Sequence, residues 1–491
     1  MTILIMCNVG NSDLIADGQR PQRPRPDGEA LWRTFADHQF DLPIIAPCLN
    51  YIRQQHPHAS ARLICFYTDQ PENQITTRPD RFGVSLRDKD TIWFARIAAR
   101  WVQTQYADWI TEVHTERIES RHGPDLNPSV YDEVFEAYTH LLARLADPTV
   151  EVCYILTAGG IPACNFALQL QAIIAYAERC RFIYPPEGGR VTELRIGEKM
   201  LESFQRMNAI AALEQYNFPA ALLGARRAKV ADWIVALLEY AVYREAFDFQ
   251  RAQQAIERAE RHASGSQRAF CAELRDNLRQ LSEYSDPAAL LCEVAYNAEI
   301  AYRNGRYADM LGRIFRFQEG VLRLVVERYL SLPTDFSKEV REANLARYLE
   351  QIDAHPDLRS HLEAKTIDGK PLRYRDGPNR PVMQAMLEFV RDGGKRADGT
   401  PFATKKERER LGAVKAMLDR LDRLAELRNQ SVIAHGFAGV SREAIEAIYK
   451  DDAEKIITDL HNIMRQLDIA DTESPFDRIA ERVRSELQRS L

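Results

Sequence analysis

The chain has 491 residues, 45% of them hydrophobic and 28% charged, and a formal net charge of −6. That length exceeds one ordinary core and predicts two to three domains, and the balance of apolar and charged residues excludes a disordered or fibrous chain. A net negative charge excludes global attraction to nucleic acid, so an RNA substrate would have to be met by a local groove, with modest and salt-sensitive affinity.

The first 200 residues alternate strand and helix signals. Apolar strand-like runs lie at residues 2–7, 62–67, 150–157, 181–184 and 191–196, and helical patterns fill about 41–56, 89–107, 129–146 and 162–178. This alternation predicts a parallel, doubly wound α/β sheet of Rossmann-like type. Residues 17–28, rich in Pro and Arg, and residues 71–80 read as loops. Beyond residue 200 strand signals almost vanish. Residues 201–285 read as paired amphipathic helices (228–243 and 247–263), residues 307–330 carry a long apolar stripe, and a helix is expected over 404–435. The resulting division is 1–200, an α/β domain; 201–285, a helical middle; and 286–491, a second all-α domain. The last twenty residues, charged and amphipathic, read as a docking helix.

Two loops of the α/β domain have the residue types of a ligand site. The first strand runs into Gly10, Asn11, Ser12 and Asp13, whose small polar groups suit a ribose, a phosphate or a base edge. The strand at 150–157 runs through Thr157 into Ala158, Gly159, Gly160, Ile161 and Pro162, where a helix starts. Paired glycines allow tight turning, Pro suits a first helical turn, and the free N–H groups of a helix start suit an anion. If the two strands are neighbours at a switch point, the loops form one crevice; otherwise both are ordinary strand-to-helix turns. Neither has the Gly-x-Gly-x-x-Gly spacing of a dinucleotide site, which argues against a Rossmann oxidoreductase.

Near the C-terminus, Arg428-Asn429 precedes His435 at the end of a run with Leu411, Val414, Met417, Leu418, Leu421, Leu424 and Leu427 at helical spacing. In a helix, seven steps of about 100° return to within about 20° of the start, about 10 Å along the axis. Arg carries a permanent forked cation and His passes a proton near neutral pH, a pair suited to cleaving a phosphodiester by its own 2′-hydroxyl. The spacing alone is weak: the chain has 11 His, and the alternative is an ordinary helix-end His beside a solvated Arg. Basic residues upstream (Lys405, Lys406, Arg408, Arg410, Lys415, Arg420, Arg423) alternate with acidic ones, and for most the expected role is a solvated helix face with i,i+4 pairs. The 8 Cys show no metal-ligand spacing, and Cys7, Cys65 and Cys153 read as buried thiols. No signal peptide or membrane span is expected, which predicts a cytoplasmic protein without a metal or other cofactor.

Arg428-Asn429 and His435 resemble the HEPN ribonuclease motif. Gly10-Asn11-Ser12-Asp13 and Thr157-Ala158-Gly159-Gly160-Ile161-Pro162 resemble the two ligand loops of CARF domains, Rossmann-like sensors of the cyclic oligoadenylates made in type III CRISPR defence. Asn11 departs from the more usual Thr. In this order the motifs resemble the CARF–HEPN ancillary ribonucleases of those systems, the Csm/Csx group. The resemblance implies an allosterically activated, metal-independent endoribonuclease for single-stranded RNA that leaves a 2′,3′-cyclic phosphate. Arg428 and His435 would be catalytic, with Asn429 supporting them. It also implies a homodimer, in which two such pairs converge and two CARF domains enclose the ring. Family frequency slightly favours the tetra-adenylate over the hexa-adenylate ring, and cleavage of the activator by the CARF pocket is left open. The alternative is a non-catalytic nucleotide-sensing protein with a helical partner-binding domain.

Overall fold

A run of seven residues, Thr2–Asn8 (β1), is buried on both faces because its neighbours alternate around it. Ile3, Ile5 and Cys7 enter one core; Leu4 and Met6 enter another. Successive strand side chains point to opposite faces, so a continuous apolar run marks a sheet covered on both sides. The computed structural model describes residues 1–120, 126–186, 189–282, 286–367, 369–431, 436–469 and 473–489. The chain forms two compact units, Met1–Phe204 and Gln205–Leu491.

In the first unit β1 is joined by β2 (Ser60–Tyr67), β3 (Ile110–Arg117), β4 (Val152–Leu156), β5 (Cys180–Tyr184) and β6 (Thr192–Leu194) in one six-stranded sheet of order β3-β2-β1-β4-β5-β6. All pairs are parallel except β5–β6. Helices α2 (Ile45–Gln55) and α3 (Ile92–Gln105) cover one face, and α4 (Tyr131–Leu145) and α5 (Pro162–Tyr176) the other. This is the α/β Rossmann-like fold expected from the alternation. Strand order runs one way from β1 to β3 and the other way from β1 to β6, which puts the switch point between β1 and β4. The register sets Cys7 beside Leu156, so both strands end at the same level.

One local expectation fails, and one strand had no signal in the sequence. Residues 17–28 are not all loop: α1 spans Pro24–Arg33, with Pro24 at its start, where the missing N–H has no helical partner to lose. Strand β3 carries Glu112, His114 and Glu116 and lies at the sheet's edge, so it has no apolar run to betray it.

The second unit is helical. Helices α7 (Phe218–Arg227), α8 (Asp232–Glu245), α9 (Phe249–His262) and α10 (Gly265–Ser282) follow α6 (Ile196–Glu214), within which the boundary between the units falls. Their shared core is completed by Phe476, Ile479, Val483 and Leu487 of the C-terminal helix Pro475–Arg489, the residues that made it read as a docking helix. A larger core forms around α11 (Pro287–Arg303) and α12 (Tyr307–Val325), with later helices Arg380–Arg391, Lys405–Asp422 and Ala453–Gln466. Between α8 and α11 lies a buried ion pair. Arg244 donates to both carboxylate oxygens of Glu293 at 2.9 and 2.8 Å and to Asn277 at 2.9 Å, and also to the Tyr240 hydroxyl. Arg244 and Glu293 are 2% and 1% exposed, and the Glu293 charge holds the Arg244 guanidinium protonated despite burial. Removing one partner strands the other charge in the core. Glu293→Gln is therefore expected to lower unfolding stability by about 3 kcal/mol in urea titrations, without changing the helical signal of the folded protein.

Candidate functional site

At the switch point the loops at residues 9–13 and 157–161 meet backbone to backbone. A Cβ on Gly10 would stand 2.2 Å from the Gly160 nitrogen, so only glycine permits the approach. Gly159 and Gly160 have φ of +86° and +67°, and a side chain on Gly160 would strike Asn8 Cβ at 2.6 Å. These are the conditions under which glycine is required rather than merely tolerated.

Asp13 fastens the junction from inside. Its carboxylate accepts the Gly10 N–H and sits against the Gly160 N–H, 1% exposed. Burial pushes its pKa up to about 7, opposed by these two N–H groups and by Arg20. Asn8 bridges the other side: its amide donates to Asn165 Oδ1 at 2.8 Å and its oxygen accepts from the Tyr138 hydroxyl, while Asn165 donates to the Gly159 carbonyl. The Thr157 hydroxyl donates to the Ile183 carbonyl at 3.0 Å, pinning the second loop to β5.

Around this junction opens a cavity of about 540 Å³. Of the sequence-selected residues, Gly10, Asn11, Ser12, Gly159, Gly160, Ile161 and Pro162 line it. Asp13 and Thr157 instead hold the loops that shape it, and Ala158 does not line it. Thr68, Leu86, Lys89, Thr91 and Ser129 add to the wall, beside the apolar side chains of Val9, Ile44, Phe66 and Ile118. None of these carries a sequence signal; they reach the cavity only because β2 ends beside β1 and the segment before α3 folds over. Helix α5 starts at the cavity with Pro162 in its first turn and no side chain capping it, leaving N–H groups there for an acceptor.

In the helical unit Arg428 lies on the six-residue helix Ala425–Gln430. The expected helix over 404–435 is broken. It stops first at Asp422, and the short helix of Arg428 ends at Gln430, where Ser431 is extended (φ −89°, ψ 167°). The Ser431 hydroxyl takes the Arg428 carbonyl at 2.7 Å, a local bond that competes with further helix. The chain then folds back: Gly436 N–H reaches the Ser431 carbonyl at 3.2 Å and Ala438 N–H the Gln430 carbonyl at 2.9 Å. A Cβ on Gly436 would stand 2.0 Å from the Gln430 oxygen. The helical-face argument for Arg428 and His435 therefore does not carry over. His435, with residues 432–434, lies outside the described residues.

The Arg428 guanidinium stacks on Phe315, Cζ 4.6 Å from the ring centre, with its Nε buried and without a partner. Among the described residues no carboxylate pairs with it. Asn429 is exposed. Several upstream cations, by contrast, are spoken for: Arg410 by Asp468, Lys415 by Asp419 at 2.6 Å, and Arg420 by Asp459 at 2.7 Å. Arg380 also approaches Phe315, at 5.2 Å, and is bound to Asp422. Phe315 belongs to the apolar stripe of α12 and looks in sequence like plain core.

Residues 280–483, a span that contains both Arg428 and His435, match the model of the Cas_Csm6 HEPN domain. No curated protein matches the chain. Among solved structures it is similar to Enterococcus italicus Csm6 bound to cyclic hexa-2'-fluoro-hexa-dAMP, at 13% identity, with a TM-score of 0.53 and 99% of each chain covered. The chain thus shares the fold of that Csm6 structure, and its residues 280–483 are similar to a HEPN domain.

The cavity at the β1/β4 switch point lies in the α/β unit, and Arg428 in the segment that matches the HEPN-domain model. Among the described residues no cluster of His, Cys, Asp and Glu is arranged to hold a metal, no helix is long and apolar enough to cross a membrane, and all eight cysteines are free thiols. Cys7, Cys65 and Cys153 are buried, as the sequence indicated.

Asp13 makes the loop junction sensitive to pH. Its folded pKa lies above the unfolded value of 3.8, so the folded state holds the extra proton between about pH 4 and 7. Stability from this group is therefore full below pH 4 and is lost as pH rises through about 7. Asp13→Asn keeps an acceptor for Gly10 and removes the titration. The variant's melting temperature, relative to wild type, is expected to climb between pH 5 and pH 8; a difference independent of pH would show that Asp13 does not titrate there.

Proposed function

We propose that this protein is a single-stranded endoribonuclease switched on by a cyclic oligoadenylate that binds in the CARF cavity. The observation that carries the reading is the coexistence on one chain of two features. One is a glycine-built cavity at the switch point of a Rossmann-like sheet; the other is an Arg that no carboxylate among the described residues pairs, in a segment that matches a HEPN domain.

The ligand side rests on donors. Gly10, Asn11, Ser12, Asp13, Thr157, Ala158, Gly159, Gly160, Ile161 and Pro162 form the proposed ligand loops. Asp13 and Thr157 act by holding the loops, while the side chains of Asn11 and Ser12 and the N–H groups at the start of α5 meet ribose and phosphate. The E. italicus Csm6 structure carries a six-membered ring analogue, whereas family frequency favours four, so both rings enter the tests.

On the nuclease side, in-line attack by a 2′-hydroxyl on the adjacent phosphorus forms one P–O bond and breaks the bond to the 5′-oxygen, leaving a 2′,3′-cyclic phosphate. The 2′-hydroxyl loses a proton and the leaving 5′-oxygen gains one. We assign proton transfer to His435, stabilisation of the pentacovalent phosphate to Arg428, and support of that phosphate or of Arg428 to Asn429. No metal is required by this charge balance when two copies act together. A homodimer supplies two imidazoles and two guanidiniums, enough for both proton transfers and for the added negative charge. Residues 1–200 are then the sensor, 201–285 the helical middle and 286–491 the nuclease. The ring must bind the competent state more tightly than the resting one, or it shifts nothing. A cytoplasmic location follows from this role in RNA defence.

The test is cleavage of a fluorogenic single-stranded RNA in EDTA, with and without synthetic rings of four and six adenylates. Wild type is expected to cut only with a ring. Arg428→Ala and His435→Ala are expected to lose at least about 100-fold in rate, the scale of a general acid–base or oxyanion group, while still binding the ring. Ring binding without any cleavage would favour a sensing protein that acts through a partner.

A further inference from the structure

The wall of the CARF cavity mixes backbone and short polar groups with the apolar side chains of Val9, Ile44, Phe66, Leu86 and Ile118, and it holds little charge. Lys89 is the one charged side chain among the described residues that line it. Each phosphodiester of a bound ring brings one negative charge, and backbone N–H groups and hydroxyls answer such a charge only in part. The ammonium of Lys89 is not directed at the cavity alone: it lies 3.2 Å from Asp80 Oδ2, across the loop that forms this wall.

Both ends of that pair are rooted. Lys89 closes a short turn, Arg87–Lys89, and is followed by Asp90, which is fully buried. Asp90 accepts the Gln70 N–H at 2.8 Å, the Gln70 side-chain amide at 3.1 Å and Arg25 at 3.3 Å. Asp80 is held by its other oxygen, which accepts the N–H groups of Phe82 and Val84 at 2.8 and 3.1 Å. The contact between them is exposed, with side-chain accessibilities of 46% and 38%. Exposed pairs of this kind contribute little, so exchanging the carboxylate for a phosphate costs almost nothing.

We propose that Lys89 is the specificity-determining cation of the cavity, occupied by Asp80 in the ligand-free protein and transferred to a phosphodiester of the ring on binding. The inference rests on the reading of the cavity as the ring's site. It assigns opposite signs to two neighbouring residues: Lys89 contributes to affinity, and Asp80 opposes it by competing for the same ammonium. A pair that merely shaped the loop would act with one sign.

Calorimetric titration of the full-length protein with cyclic tetra-adenylate and cyclic hexa-adenylate decides the matter. Lys89→Ala is expected to weaken binding of the ring that wild type prefers by about tenfold, the loss of one charge-assisted hydrogen bond, and Lys89→Arg to stay within about threefold. Asp80→Asn keeps the acceptor for Phe82 and Val84 and is expected to tighten binding by about threefold. The double variant is expected to bind like Lys89→Ala, because a competitor without its ammonium has no effect. An affinity of Lys89→Ala within about twofold of wild type would overturn the proposal, as would weakening by Asp80→Asn. A wild-type protein that binds neither ring refutes the ligand reading itself, and this assignment with it.

Discussion

The close approach of two backbones at the β1/β4 switch point constrains everything around it. Gly10 and Gly160 meet at a distance that leaves no room for a Cβ, and Gly159 and Gly160 adopt left-handed angles that side chains resist. A buried carboxylate, Asp13, holds the junction together against its own desolvation cost, and the Tyr138–Asn8–Asn165 chain braces it from the other side. The cavity is open because these loops fill their own space with backbone rather than side chains. On the loop side its wall is therefore N–H groups and short polar groups, while Ile44, Phe66, Leu86 and Ile118 make the rest apolar.

Charge is handled differently in the two units. In the helical unit Arg244 is fully satisfied by Glu293, Asn277 and Tyr240, and it anchors structure. Arg428 is held by an aromatic face instead. Stacking on Phe315 positions a guanidinium without neutralising it, and among the described residues no carboxylate does so either. The short helix that carries it ends at Ser431, and Gly436 folds back onto the same turn. The backbone on both sides of the motif is thereby fixed by hydrogen bonds that do not involve the Arg428 side chain.

How much of this could be read from the chain depended on locality. The sheet was legible because β1, β2 and β4 are apolar runs whose flanking helices have their own period; edge strand β3, polar along its length, was not. Helix α1 was hidden by prolines that read as loop but sit in its first turn. The glycines of the switch point were conspicuous, because no other residue type produces that turn so readily. Lys89, Thr68 and Thr91 were not, because tertiary folding alone brings them to the cavity. Phe315 was invisible for a different reason: more than a hundred residues before Arg428, it looks like any other member of an apolar stripe. The helix expected through Arg428 to His435 failed because Ser431 offers the Arg428 carbonyl a closer donor than the next helical turn would.

The central proposal is that occupation of the switch-point cavity by a ring governs RNA cleavage at Arg428. It is tested most directly by titrating a synthetic ring into one preparation of the full-length protein, following ring binding by calorimetry and RNA cleavage by fluorescence under the same conditions. The account predicts that the two curves coincide, with half-maximal cleavage at half-saturation of the ring site and no cleavage in its absence. RNA cleavage at full rate without ring, or a saturated ring site with cleavage unchanged, would contradict it.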